Sequence, residues 1–170
     1  RDHPRNDHYK CPRNPVVPLT DNRARLLSAV DRFRADGWTA GHIGAAWAWY
    51  TVSPKWSSIW PAESRPEPYG KRDLVKAVVM MTDGEFNTSY RNGSQNGTSG
   101  DQARKICENM KDENVVVFTV GFDLRERNAI RTLEECATSA RYHYLAEDGE
   151  DLRRAFNDIA VKLTQLRITN

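Results

Sequence analysis

The sequence predicts an α/β protein with a parallel sheet of about three strands flanked by helices, and three observations predict it. Val75-Lys-Ala-Val-Val-Met-Met-Thr-Asp-Gly84 is a nearly unbroken apolar run that stops abruptly in a turn signal, as a strand buried on both faces does. Val115-Val-Val-Phe-Thr-Val120, ending at Gly121, repeats that pattern. Between and after these runs, apolar residues recur at helical spacing, so strands alternate with helices, and such chains wind into parallel sheets with right-handed crossovers.

Residues 1–19 are rich in Pro, Asn and Arg and should be irregular; the domain proper is expected over 20–170. Thr20 or Asp21 caps a first helix to about Ala35, with Leu26, Leu27, Val30 and Phe33 at helical spacing, and Asp36-Gly37 closes it. A second helix runs from about Ala40 to Thr51, carrying Ile43, Trp47 and Tyr50 with small residues between that allow close packing on a sheet. Ser53-Pro54 stops it, and the proline-rich stretch 54–70 reads as a long loop holding Trp56 and Trp60.

The first strand follows at about 74–81, then a Ser/Asn/Gly-rich stretch, Glu85 to Gly100, that reads as a mobile surface loop. A helix over Asp101–Asp112 leads to the second strand. A further helix, about Arg125–Ser139, leads to a third, short strand at Tyr142-His-Tyr-Leu145. The last helix, about Gly149–Leu166, shows Leu152, Phe156, Ile159, Val161 and Leu163 as its amphipathic set. Three strands are few for two covering layers of helices, and two helices precede the first strand. N-terminal strands of the sheet are therefore expected to lie outside this chain.

At 170 residues with a net charge of +2, acidic and basic residues are interspersed, which excludes the clustered basic face of a nucleic-acid binder. Arg1, Arg5, Lys10 and Arg13 alternate with Asp, Asn and Pro and read as a solvated loop. No segment has the roughly 18 consecutive apolar residues of a membrane-spanning helix. Scattered His3, His8, His42 and His143, with no nucleophile elbow around any Ser or Cys, give no support to a catalytic triad, so the chain reads as non-enzymatic.

Asp83 is the leading candidate for function. It sits at the carboxyl end of the first strand, where open α/β sheets bind ligands. The competing role is an Asx residue that merely shapes the turn before Gly84. Thr39 is the second candidate, with a competing role as N-cap of the helix that starts at Ala40.

The ordered set Leu19-Thr20, a helix, Gly37-Trp38-Thr39, the Val78-to-Gly84 strand, Val117-Phe-Thr-Val-Gly121 and Asp151-Leu-x-x-x-Phe156-x-x-Ile159 resembles the latter part of a von Willebrand factor A (vWA) domain. Thr39 with Gly44, Trp47-Ala-Trp49, Val52-Ser-Pro54, Cys136-Ala137 and Leu166-Arg-Ile168 is similar, more narrowly, to TadG-type proteins of bacterial tight-adherence (Tad/Flp) pilus assembly. The resemblance implies a partial vWA, Rossmann-like sheet. It also implies a metal-ion-dependent adhesion site (MIDAS) for Mg²⁺ or Mn²⁺, with Thr39 and Asp83 as its metal ligands. The Asp-x-Ser-x-Ser ligands of that family site have no counterpart here, so the expected metal affinity is weak.

The resemblance further implies protein partners among pilus or cell-envelope components. It places this region on the periplasmic or extracytoplasmic face of the inner membrane, attached through an N-terminal segment outside this chain. The expected function is a non-enzymatic adhesion or pilus-biogenesis module, with a metal-independent scaffold and a metal-dependent hydrolase as alternatives; the hydrolase would need Glu85 or Asp123 beside Asp83. Without the earlier strands of the family's sheet, the strand at 74–81 becomes an apolar edge that invites self-association.

Crossovers in one direction place the helices bearing Cys107 and Cys136 side by side, so a disulfide between them is geometrically reasonable, the alternative being two buried thiols. A disulfide would imply an oxidising compartment, with Cys11 paired elsewhere or free. Trp47 and Trp49 read as packing residues, and Trp56 and Trp60 as the better candidates for partner contact. His42, one turn beyond Thr39, reads as a helix-surface residue. Asn87-Thr-Ser, Asn92-Gly-Ser and Asn96-Gly-Thr match glycosylation sequons, a coincidence expected of so Ser/Asn/Gly-rich a stretch.

Overall fold

Both apolar runs form strands, and a third joins them: β1 (Ala77–Thr82), β2 (Val116–Phe122) and β3 (His143–Ala146) make one parallel sheet in the order β1-β2-β3. The computed structural model describes residues 14–34, 39–88 and 93–169. Ala77 pairs with Val116 at one end of the β1–β2 ladder and Thr82 with Gly121 at the other, while Thr119 pairs with His143 and Phe122 with Ala146. Five helices, α1 (Arg23–Asp31), α2 (Gly41–Val52), α3 (Ser99–Asp112), α4 (Arg127–Cys136) and α5 (Gly149–Thr169), account for the helical periodicities.

Strand alternation splits the core in two. Val78, Met80 and Val117 face a layer built from α2, α3 and α4, meeting Ala45, Cys107, Met110 and Cys136. Phe118 and Val120 face the other way, onto Tyr142 and Ile159, with Leu152, Leu163 and Leu166 of α5 packed against them. The α5 stripe is therefore Leu152, Ile159, Leu163 and Leu166, whereas Phe156 and Val161, expected in it, point outward.

Local chemistry explains the boundaries. Asn22, not Thr20 or Asp21, caps α1 by accepting the Arg25 N–H, and the Thr20 hydroxyl accepts the Asn22 N–H instead. Helix α3 begins two residues before Asp101, because Thr98 and Asp101 form a reciprocal capping box. At its other end Asn114 takes φ 58°, and the Asn114 and Val115 N–H groups donate to the Lys111 and Met110 carbonyls. That is a Schellman closure, with buried Val115 against buried Met110, and it aims the chain straight into β2. The proline-rich stretch is more ordered than a plain loop, holding 3₁₀ turns at Pro54–Ile59 and Ala62–Ser64.

Cys107 and Cys136 are bonded to each other, tying α3 to α4 on one face of the sheet as the crossover argument anticipates. Cys11 lies outside the described residues.

Two apolar surfaces are left exposed. Leu26, Leu27, Val30 and Phe33 of α1 are all exposed, so the amphipathic stripe is there but is left largely open, with Ala29 the buried residue of the helix. Among the described residues β1 pairs only with β2, and Val79 and Met81, on the α5 side of the sheet, are also exposed. An apolar edge without Lys or Pro is a template for another strand. Concentration-dependent association of this chain is therefore expected in light scattering, and Met81→Lys, a change at an exposed position, is expected to suppress it; undiminished association of that variant would exclude the β1 edge as its cause.

Candidate functional site

The carboxyl edge of the sheet is built where β1 ends. Thr82 is buried, and its hydroxyl both donates to the Gly84 carbonyl and accepts the Gly84 N–H, closing the turn. The side chain shaping this turn is thus Thr82, and the Asx role considered for Asp83 is not the one the structure uses. Asp83 is exposed, and its carboxylate has no hydrogen-bond or ion-pair partner among the described residues. A carboxylate exposed at a strand's carboxyl end and unused by the fold is available to a ligand.

Thr39 comes to the same edge from the far side of α2. Its N–H donates to Asn87 Oδ1 at 2.9 Å, and its carbonyl accepts the Thr88 N–H at 3.3 Å. Both partners lie on the segment that leaves Asp83, so the two candidate residues belong to neighbouring loops. The N-cap position of α2 is Ala40, with no side-chain cap bond, so Thr39 does not cap the helix.

Phe86 lies over Gly41: a Cβ on that glycine would sit 2.2 Å from Phe86 Cδ1, closer than any real contact. The ring also packs against the core cluster containing Ala45, Val78 and Met80.

His42 differs from the surface role expected of it. Its Nδ1 is 2.8 Å from Ser99 Oγ at the start of α3, and burial holds its pKa below the usual histidine value, favouring the neutral ring. Ser99, buried, is a residue of this edge that sequence reading missed. The Thr98-x-x-Asp101 spacing was the signal that could have placed it in the first turn of α3.

His143 is structural: it is 2.8 Å from the buried Thr119 hydroxyl through Nδ1, its Nε2 is buried without a partner, and burial again lowers its pKa.

Asp123 and Glu85 are the two carboxylates that a hydrolase would draw on beside Asp83. Asp123, at the end of β2 with φ 44°, is ion-paired to Arg125 at 3.2 Å. Glu85 lines a cavity of about 310 Å³ with Phe86, Thr98, Asp101, Arg104 and Arg131, in which Asp101 is held below the ordinary carboxylate range by hydrogen bonds from Thr98. No group of three His, Cys, Asp or Glu able to hold a metal occurs among the described residues.

A hard divalent cation prefers oxygen donors, about six for Mg²⁺. The Asp83 carboxylate and the Thr39 hydroxyl have the right chemistry, and neither is consumed by another described residue. They fit such an ion as two of its ligands, leaving the remaining positions to water or to groups outside the described residues.

Sequence reading also exchanged two tryptophans. Trp60 is buried, its Nε1 donating to the Tyr50 carbonyl at 2.8 Å, and is unavailable to a partner. Trp47, expected to be packing, is 40% exposed, as is Trp56, which stacks on Tyr50 with ring centroids 4.0 Å apart. Trp49 does pack, donating from Nε1 to Tyr69 Oη. The reason is tertiary: the 3₁₀ turn at Pro54–Ile59 folds Trp60 back under α2.

No curated protein matches this chain. Among solved structures, the pilus adhesin SpaC from Lactobacillus rhamnosus GG is similar, with a TM-score of 0.61 at 12% identity over 84% of this chain and 21% of the adhesin. Proximal thread matrix protein 1 from the mussel byssus matches at a TM-score of 0.49 and 19% identity, over 80% of this chain and 28% of its own. The same byssus protein with a zinc-occupied MIDAS motif matches at 0.48 and 16%, over 79% and 29%. At such identity the likeness to the adhesin shows the fold alone, and this chain spans well under a third of each of these proteins. The von Willebrand factor type A domain family matches residues 12–158. With that match running through the three parallel strands and the Asp83 edge, the chain belongs to the von Willebrand factor type A domain family.

Proposed function

We propose that this chain is a non-enzymatic protein-binding module of bacterial Tad/Flp pilus assembly, serving adhesion or biogenesis, and that it engages partners at the carboxyl edge of its sheet through a divalent cation held by Thr39 and Asp83. The observation that carries this reading is Asp83 itself, exposed, unpaired among the described residues and beside the loop that the fold ties to Thr39.

Each residue has a defined task. Thr82 closes the turn and presents Asp83; Asp83 supplies negative charge; Asn87 and Thr88 hold the Thr39 backbone. The cation, when bound, supplies a Lewis-acidic position for an acidic group of the partner. Family membership and the residue pattern shared with TadG-type proteins support the pilus assignment. The buried Cys107–Cys136 bond supports a site of action outside the cytoplasm, on the extracytoplasmic face of the inner membrane. No described helix is long and apolar enough to cross a membrane.

Thermal unfolding with and without Mn²⁺ or Mg²⁺ tests this directly. At ten times its Kd, a cation stabilises by about 1.4 kcal/mol, which is a rise of about 3–6 °C for a domain of this size. Asp83→Ala is expected to lose that rise while unfolding cooperatively without metal. Turnover of phosphate or ester substrates would overturn the non-enzymatic reading.

A second reading, a metal-independent scaffold of the pilus machinery, is favoured by one observation: the described residues offer only two of the ligands such a cation needs. A cooperative transition indifferent to metal in both proteins is its expected signature.

A further inference from the structure

We infer that Asn87, Phe86 and Gly41 form a clamp that sets the spacing of Thr39 and Asp83 before any cation arrives. The inference rests on the metal-site reading for its function but on separate contacts for its existence. Thr39 precedes α2 and Asp83 follows β1, so nothing local holds them together. Three contacts do.

Asn87 Oδ1 accepts the Thr39 N–H at 2.9 Å, and the Thr88 N–H donates to the Thr39 carbonyl at 3.3 Å, so both backbone groups of Thr39 are held by the segment following Asp83. Phe86, between Asp83 and Asn87, fills the notch above Gly41, where a Cβ would fall 2.2–2.6 Å from three ring carbons. The ring cannot yield freely, because it packs against the core cluster of Ala45, Val78 and Met80. Gly41 does not have a positive φ, so the glycine is needed there for space and not for backbone freedom. A further contact, His42 Nδ1 to Ser99 Oγ at 2.8 Å, fixes the same end of α2 to α3.

The result is a pre-set pair of oxygen donors, and groups that orient metal ligands from behind are worth about 10–100-fold in affinity. Asn87 is therefore a positioning residue, its amide oxygen holding the Thr39 backbone while the ligands themselves are side-chain oxygens.

Two readouts on the same variants test the clamp: Mn²⁺ affinity by titration calorimetry, and hydrogen exchange of the Thr39 amide in metal-free protein. Asn87→Leu is expected to weaken Mn²⁺ binding about 10–100-fold and to expose the Thr39 amide to exchange, with the unfolding midpoint nearly unchanged. Asn87→Asp keeps an acceptor oxygen and is expected to keep the amide protected, which a merely structural surface residue would not predict. Phe86→Ala removes the ring without a clash and is expected to weaken binding too, so the test stands even if the harsher Gly41→Ala fails to fold.

Wild-type affinity and wild-type Thr39 protection in Asn87→Leu and Phe86→Ala would overturn the clamp. If wild type takes up no Mn²⁺, the metal reading fails by itself, and the exchange data still decide: protection lost in Asn87→Leu but kept in Asn87→Asp upholds the clamp, and equal protection in all three overturns it.

Discussion

Replacing both Cys107 and Cys136 with alanine is expected to lower the stability of this domain by about 3–4 kcal/mol, the chain-entropy value for a loop of 29 residues. Both sulfurs are fully buried between α3 and α4. The bond restricts the unfolded chain more than it alters the native one, so the loss should appear in the urea midpoint of the double variant and equally in wild type unfolded under strong reductant. For a domain of this size, that corresponds to a fall of about 7–14 °C in Tm.

The consequence reaches the candidate site. Helix α3 begins at Ser99, which meets His42 behind Thr39, so a loosened α3 withdraws one support of the carboxyl edge. A loss below about 1 kcal/mol, or a reductant effect persisting in the alanine variant, would show that the fold does not depend on this bond.

Phe118→Ala is expected to cost about 3–5 kcal/mol, the range for truncating a fully buried aromatic side chain. Phe118 is 0% exposed at the middle of β2, meeting Tyr142 edge-on with ring centroids 4.8 Å apart. It shares its cluster with Val120 and Ile159, so it joins the central strand to α5. Neighbours anchored on a strand and on a long helix collapse poorly into the space, and the cavity term adds to the lost transfer free energy. Phe118→Leu should lose considerably less. Urea unfolding with an unchanged m-value would report this cleanly, and a loss for Phe118→Ala no greater than that of Phe118→Leu would mean that α5 moves in to fill the gap.

Much of the fold is legible in the residues because its signals are local. Strand β1 stands out from Val78 to Met81 as an apolar run, and β2 likewise, because a strand covered by helices has no polar face to show. Boundaries slipped by one to three residues where a cap decided them: Asn22 rather than Thr20 or Asp21, and Thr98 with Asp101 at the head of α3. Those errors share a cause, since several residues in each stretch have cap chemistry and only the hydrogen bond made selects one. Asp83 was visible as the polar residue that stops an apolar strand. Asn87 was visible only as part of a sequon, because its role depends on a bond to Thr39, nearly fifty residues away.

The amino-acid sequence by itself thus determined the α/β class, the order of strands and helices, the place of Asp83 at the carboxyl end of a buried strand, and two cysteines on adjacent helices. Each follows from periodicity, turn chemistry or crossover handedness, all of which act over a few residues or by general rule. Tertiary structure alone decided which tryptophans are exposed, that Thr82 rather than Asp83 closes the turn, that the α1 stripe is left exposed, that Phe86 lies over Gly41 and that Asn87 accepts the Thr39 N–H. Those outcomes depend on which distant surfaces meet, and a side chain's partner across the fold is not written in the residues beside it.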